Sequence, residues 1–243
     1  MVPGHDLRPR TLTEPVTMIL AVPEPAVPDL AATLAGGSRP PSSSAVVHVS
    51  GALQLAALEP ARAAGWEVGS MHPLRPFPRQ LPPSALGGIT FAVDASTPEL
   101  LNRLEDLARR LGGTPRRVPD AERTRYHAAA VLGANYTVAL AGEAARILQE
   151  AGWTRDEAVA ALVPLMRGAV DDLAAIGLPR ALTGPIRRGD AATVRAHIAE
   201  LERSQTASLA RVYRILGFAA LELARESGLN EEAAARIQEA LTG

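Results

Sequence analysis

Short apolar runs and amphipathic stretches alternate through the first half of the chain. VTMILAV (16–22), AVVHVS (45–50), WEVGSM (66–71) and ITFAVD (89–94) are brief, rich in β-branched residues and bounded by Pro, Gly or Ser, the pattern of buried strands. Between them lie PAVPDLAATLAG, ALQLAALEPARAAG and PELLNRLEDLARRLGG, whose leucines and alanines recur at helical spacing. Crossovers of this length predict a mostly parallel sheet with helices on its faces. A proline-rich loop, HPLRPFPRQLPPSALGG, interrupts the series, and a short PRRVP follows the last helix.

The period changes near residue 119. From Asp120 to Ala151 the chain is periodic and free of proline, which predicts one helix of roughly 45 Å at 1.5 Å per residue. Further helices are predicted at 154–175, 190–204, 206–227 and 230–242, with Thr154, Asp190 and Asn230 placed as N-caps. The expected organisation is a sheet-bearing domain over 1–119 and an all-helical domain over 120–243. This is an α/β plus all-α fold with an incomplete Rossmann-like sheet.

Composition narrows the chemistry. Hydrophobic residues make up 47% of the 243 and aromatics only 3%, which favours closely packed helices. Cysteine is absent, so disulfides, thiolate metal sites and a cysteine nucleophile are excluded. Lysine is absent too, all 25 basic residues being arginine; a phosphate-loop or Schiff-base lysine is therefore excluded. With a net charge of −1 and no basic face, neither nucleic acid nor a membrane is an expected partner. No secretory signal is legible, and the expected location is the cytoplasm.

Proton chemistry then falls to His, Asp, Glu or Tyr. His72, in GSMHPL, is expected just beyond the end of a parallel strand, where ligands of open α/β sheets gather; it also reads as a loop histidine bonded to backbone. His127 and Asn135 lie eight residues apart on the predicted long helix and so share a face, either as site groups or as polar groups satisfied between helices. His48 falls inside a strand and reads as a core histidine with its hydrogen bonds satisfied. Arg187 and Arg188, in TGPIRRGD, suit a substrate carboxylate or a cofactor phosphate, or else belong to a surface connection. No metal-ligand spacing appears.

Six motifs in order, ILAVPEPAV, VVHVSGAL, VGSMHPLRPFP, FAVD, RYHAAAVLGANY and ALTGPIRRGD, carry a resemblance across residues 16 to 228. They resemble the Rossmann-like NADP oxidoreductases with a helical C-terminal domain of unassigned function. That group is related to ketopantoate reductase, the β-hydroxyacid dehydrogenases and prephenate dehydrogenase, and the helical half is similar to that of 6-phosphogluconate dehydrogenase. The resemblance implies NADP (or NAD) as cofactor, a small oxo acid or related carbonyl as substrate, and a homodimer built through the helical domain. It implies His72 or His127 as proton donor, with Asn135 orienting the substrate oxygen. Val22, Pro23, Ser50 and Gly51 would lie at the nicotinamide ribose, and Ser70, Arg187 and Arg188 at the substrate.

In such proteins a βαβαβ unit with a glycine-rich turn precedes the strand resembling VTMILAV. No Gly-x-Gly-x-x-Gly occurs here, so that first unit is read as missing. The strand at 16–22 is then expected to show an open apolar edge, covered by residues 1–15, by a second subunit, or not at all. A non-catalytic scaffold or small-molecule-binding descendant is the alternative function.

Overall fold

The structure, a computed structural model, describes residues 12–204, 206 and 208–243. It divides into two compact units, 1–136 and 137–243. The sequence pattern put the boundary at 119; the units part further along, because the first helix after the sheet belongs with the sheet.

Five strands make up the sheet of the first unit: β1 (Thr17–Leu20), β2 (Ala45–His48), β3 (Glu67–Pro73), β4 (Thr90–Ala95) and β5 (Thr114–Arg117), adjacent in that order. β1, β2 and β3 run parallel, β4 is antiparallel to β3, and β5 is parallel to β4. The reversal at β4 has a local cause. The proline-rich loop before it cannot form the helix that a parallel crossover requires, so the chain turns back along the same edge. Three helices provide the other connections: α1 (Val27–Ala35), α2 (Glu59–Ala63) and α3 (Pro98–Arg110).

Alternation along β2 sends its side chains to two cores. Val46 joins Val27, Ala31 and Leu58 beneath α1 and α2, whereas Ala45 and Val47 join Phe91, Leu100 and Leu104 beneath α3. Full burial of each valine or leucine contributes about 1.5–3 kcal/mol. Gly69 of β3 lets α3 sit this close, since a Cβ there would lie 3.0 Å from Leu104 Cδ1 and 3.2 Å from Leu100 Cδ2. The Thr97 side chain caps α3 by accepting from Leu100 N, and Pro98 occupies the first turn, where its missing N–H costs nothing.

Among the described residues β1 pairs with β2 alone and is an edge strand, with Ile19 exposed. Residues 1–11, one of the expected covers for that edge, lie outside the described residues.

The single long helix expected over 120–151 is two helices. A 3₁₀ turn at Asp120–Glu122 leads into α4 (Arg123–Gly133), the chain departs from helical geometry at Ala134 (φ −114°, ψ −62°), and α5 runs Asn135–Glu150. Gly133 is the weak point, since glycine loses the most backbone freedom in a helix.

The second unit is helical: α6 (Arg155–Ile176), α7 (Gly184–Arg187), α8 (Ala191–Glu202), α9 (Ser208–Glu226) and α10 (Glu231–Thr242) follow α5. Thr154 and Glu157 form a capping box at α6, and Asp190 and Asn230 cap α8 and α10. Ile186, Val194, Ile198, Leu221, Ile237 and Leu241 form the core of this unit, between α7, α8, α9 and α10. No helix among the described residues is long and apolar enough to cross a membrane.

Candidate functional site

His48 ends β2 and pairs in register with Ser70 of β3. Its side chain is 0% exposed, and neither ring nitrogen has a hydrogen-bond partner. The expectation of a satisfied core histidine is therefore corrected: the ring is in the core, but the polar atoms are orphaned. The chain turns immediately afterwards. Ser50 Oγ accepts from Ala52 N at 3.1 Å and Leu53 N at 2.9 Å, and donates to the Glu24 carboxylate.

Gly51 follows, and two imidazoles approach its backbone. A Cβ at this position would lie 2.8 Å from His127 Nδ1 and 2.9 Å from His72 Nε2. Only glycine permits that convergence.

His72 belongs to β3 itself, paired with Ala92, rather than lying beyond the strand. The antiparallel partner extends β3 to Pro73, which reading β3 as a parallel strand ending at Met71 did not anticipate. The Nδ1 of His72 shares a 2.7 Å hydrogen bond with the Tyr126 hydroxyl, and the two rings meet edge-on.

Arg123, absent from the sequence-based candidates, is the largest fully buried side chain in the chain's described residues, at 0% exposure. It donates through Nη2 to the Ser70 hydroxyl and through Nη1 to the Ser50 carbonyl at 3.3 Å, while Nε has no partner. It also stands at the first position of α4, the helix end that disfavours a cation. The segment entering α4 is pinned to the sheet: Asp120 N donates to Asp94 Oδ2, and Asp120 Oδ1 accepts from Leu55 N at 2.7 Å. The sequence did carry a signal for this face, since Arg123, Tyr126 and His127 are spaced i, i+3, i+4.

The electrostatics follow from burial. His48 is lowered from 6.5 to about 4 by desolvation first and then by the Arg123 charge, with Glu24 opposing. His72 is likewise lowered to about 4, by burial, then Arg123, then His127, again against Glu24. Burial pulls the Arg123 guanidinium down from its usual value and pushes the Tyr126 phenol up. At pH 7 a group titrating near 4 is protonated in about one molecule per thousand, so His48 and His72 are neutral imidazoles.

An open pocket of about 410 Å³ abuts this cluster, lined by His72, Tyr126, His127 and Asn135 with Leu74 and Val131. His127 and Asn135 thus reach one pocket although the helix breaks between them, which corrects the shared-helix-face reasoning while keeping the pair together. The other expected site residues are placed differently. Val22 and Pro23 are exposed after β1. The hydroxyl of Ser50 is spent on its turn, Gly51 is covered by imidazoles, and Ser70 is buried beneath Arg123. Arg187, in the helical unit, donates to the Ser227 carbonyl at the end of α9, and Arg188 is exposed. No group of three or more His, Asp or Glu among the described residues is placed to hold a metal ion.

Solved structures share the fold. Protein TM1727 from Thermotoga maritima is 26% identical over 89% of this chain and 82% of its own, with a TM-score of 0.71. The Bacteroides fragilis protein BF3122, provisionally named an NADP oxidoreductase, is 21% identical over 90% and 80% of the two chains, with a TM-score of 0.67. Plasmodium falciparum pyrroline carboxylate reductase, solved with NADP bound, is 11% identical over 92% and 79%, with a TM-score of 0.54. No curated protein matches the sequence.

Of the four residues expected at the nicotinamide ribose of NADP, two are open to a ligand and two are not. Val22 and Pro23 are open to a ligand, but Ser50 and Gly51 are engaged within the protein. A family model matches residues 89–220, from the start of β4 into α9. The chain belongs to that family, described as a domain of unknown function, DUF2520.

Proposed function

We propose that this chain carries the substrate side of an NAD(P)-dependent reduction of a small oxo acid or related carbonyl. The observation that supports it is the convergence of His72 and His127 on Gly51, beside an open pocket at the strand ends where α/β proteins bind ligands. The fold shared with NADP-named proteins points the same way. NADP(H), when bound, supplies the hydride. The chain's own residues handle the rest. His127 donates the proton to the carbonyl oxygen, and the exposed amide of Asn135 orients that oxygen. His72, held neutral, acts as a fixed hydrogen-bond donor rather than as the acid. The active form is a homodimer joined through the helical unit, and it works in the cytoplasm.

The engaged Ser50 and Gly51 favour a second reading, a protein that binds the small molecule without reducing it. Thermal unfolding with and without NADPH separates the two. Ligand at a hundredfold excess over Kd adds about 2.7 kcal/mol, which for a chain of this size raises the midpoint by roughly 5–10 °C. That rise, followed by NADPH oxidation on adding an oxo acid, is the expected result. A cooperative transition that does not move with NADPH overturns the reductase reading.

A further inference from the structure

A guanidinium removed from water without a carboxylate partner is a costly arrangement, and a buried ionisable group of this kind beside a cleft is a functional-site candidate. Arg123 has only neutral acceptors, the Ser50 carbonyl and the Ser70 hydroxyl. Arg123 Nε, both nitrogens of His48 and His127 Nδ1 are sealed from water and unpartnered. Orphaned polar atoms gathered in this way need a ligand or a water to account for them.

The nearby acids Asp120 and Asp94 favour the Arg123 charge through space, but neither forms an ion pair with it. Asp94 accepts from Asp120 N and, at 3.4 Å, from Arg117 Nε, and Asp120 accepts from Leu55 N. Glu24 is exposed to solvent and takes the Ser50 hydroxyl. Its field on His48 and His72 is outweighed by that of Arg123.

We infer that the pocket beside Tyr126 receives a small monocarboxylate against the imidazoles of His72 and His127, with the buried Arg123 as the charge that selects it. This deepens the proposed function by assigning the residue that selects the acid group of its substrate, and it rests on that reading only for the claim that the ligand is reduced. In the tautomer where the Tyr126 hydroxyl donates to Nδ1 of His72, the ring proton is on Nε2 and can be donated to a carboxylate oxygen, and that tautomer is the one the proposal requires. Leu74, Ala130 and Val131 line the same pocket and suit a short aliphatic chain. A cationic ligand, such as a protonated imine, would meet the Arg123 field and be excluded. Arg123 is a positioning residue here, since it acts through the imidazoles.

The test uses the full chain without dinucleotide. Pyruvate, its neutral methyl ester and ethylammonium are titrated while the His72 and His127 ring resonances are followed by NMR. Pyruvate is expected to shift both resonances saturably, the ester to bind at least tenfold more weakly, and ethylammonium not to bind. Arg123→Met should weaken pyruvate at least tenfold, with Arg123→Lys recovering part of the loss. Because a buried variant can fail to fold, the acid-against-ester comparison on the unaltered protein decides the carboxylate preference, and Arg75→Gln, at the guanidinium that lines the pocket itself, separates the two arginines: loss of the preference in that variant overturns the role of Arg123. Equal affinity for acid and ester, or no shift with pyruvate, overturns the receptor. Pyruvate binding in a protein that ignores NADPH supports the receptor and removes the reductase reading. NADPH-dependent reduction of acid and ester at equal rates does the reverse.

Discussion

The Tyr126 hydroxyl lies 2.7 Å from Nδ1 of His72, and the two rings cross at 83°. One residue comes from the end of a strand and the other from the first turns of α4, so this bond ties the helix to the sheet at the pocket wall. Tyr126→Phe keeps the edge-on packing and deletes the hydroxyl. The expected loss is about 0.5–1.5 kcal/mol, that of an ordinary hydrogen bond, read by denaturant unfolding. The variant should also let the His72 proton move between its two nitrogens, visible in the ring ¹⁵N shifts. Unchanged stability together with unchanged shifts would show that the bond does not exist in solution.

The two depressed histidines set the pH dependence of stability. His48 and His72 fall from 6.5 to about 4 on folding, so the unfolded chain binds more protons between those values. Their contribution is complete above about pH 6.5, is lost as the pH falls towards 4, and changes no further below that. For the fully buried His48 the loss is about 3 kcal/mol at most. His48→Leu should flatten this part of the profile. It should also leave stability at pH 7 equal or higher, because it replaces two orphaned nitrogens with an apolar group. Chemical unfolding at pH 7.5, 6 and 4.5 measures both effects, and parallel profiles for the two proteins would contradict them.

Gly51→Ala tests the convergence of the site with a single carbon. The new Cβ would stand 2.8 Å from His127 Nδ1 and 2.9 Å from His72 Nε2, so both rings must retreat. Overpacking of this kind costs about 1–3 kcal/mol, and the retreat should also abolish any ligand response of the His72 and His127 resonances. If the alanine protein melts like the original and still responds, the rings do not converge on Gly51.

The fold was legible where periodicity was strong. Four of the five strands, α3 and the capped helices α6, α8 and α10 stand where apolar spacing and the Thr, Asp and Asn caps put them, whereas β5 (TPRR) carries no apolar alternation to read. The break at Ala134 was not, because one glycine in an alanine-rich stretch barely disturbs the helical pattern. Half of the site was legible through the histidines at the strand ends. The other half was hidden, since Arg123 and Tyr126 lie on a helix 51 to 54 residues beyond His72 in sequence and are brought to it only by the packing of α4 against the strand ends. Ser50 and Ser70 were visible as hydroxyls, but nothing in sequence tells a ligand-binding hydroxyl from one that ties a turn or holds an arginine.

The strongest unmet demand lies in α6. Of its 22 residues only Ala158 is buried, while Val159, Val163, Val170 and Leu173 share one face by helical spacing and all stand exposed, Val170 by 58%. α5 is similar, with Ala145 alone buried and Val138 exposed by 73%. A water-facing helix would carry charges on such a face, and a lone monomer gains nothing from valines there. We expect a second copy of the chain to cover it. Sedimentation at micromolar concentration should then give a dimer, and Val163→Glu should weaken it at least a hundredfold, about 2.8 kcal/mol, by placing a charge in an apolar contact. The variant's far-ultraviolet circular dichroism should be unchanged, because the side chain it alters is already exposed in the single chain. A monomer for the unaltered protein, or a dimer indifferent to the glutamate, would move the interface elsewhere.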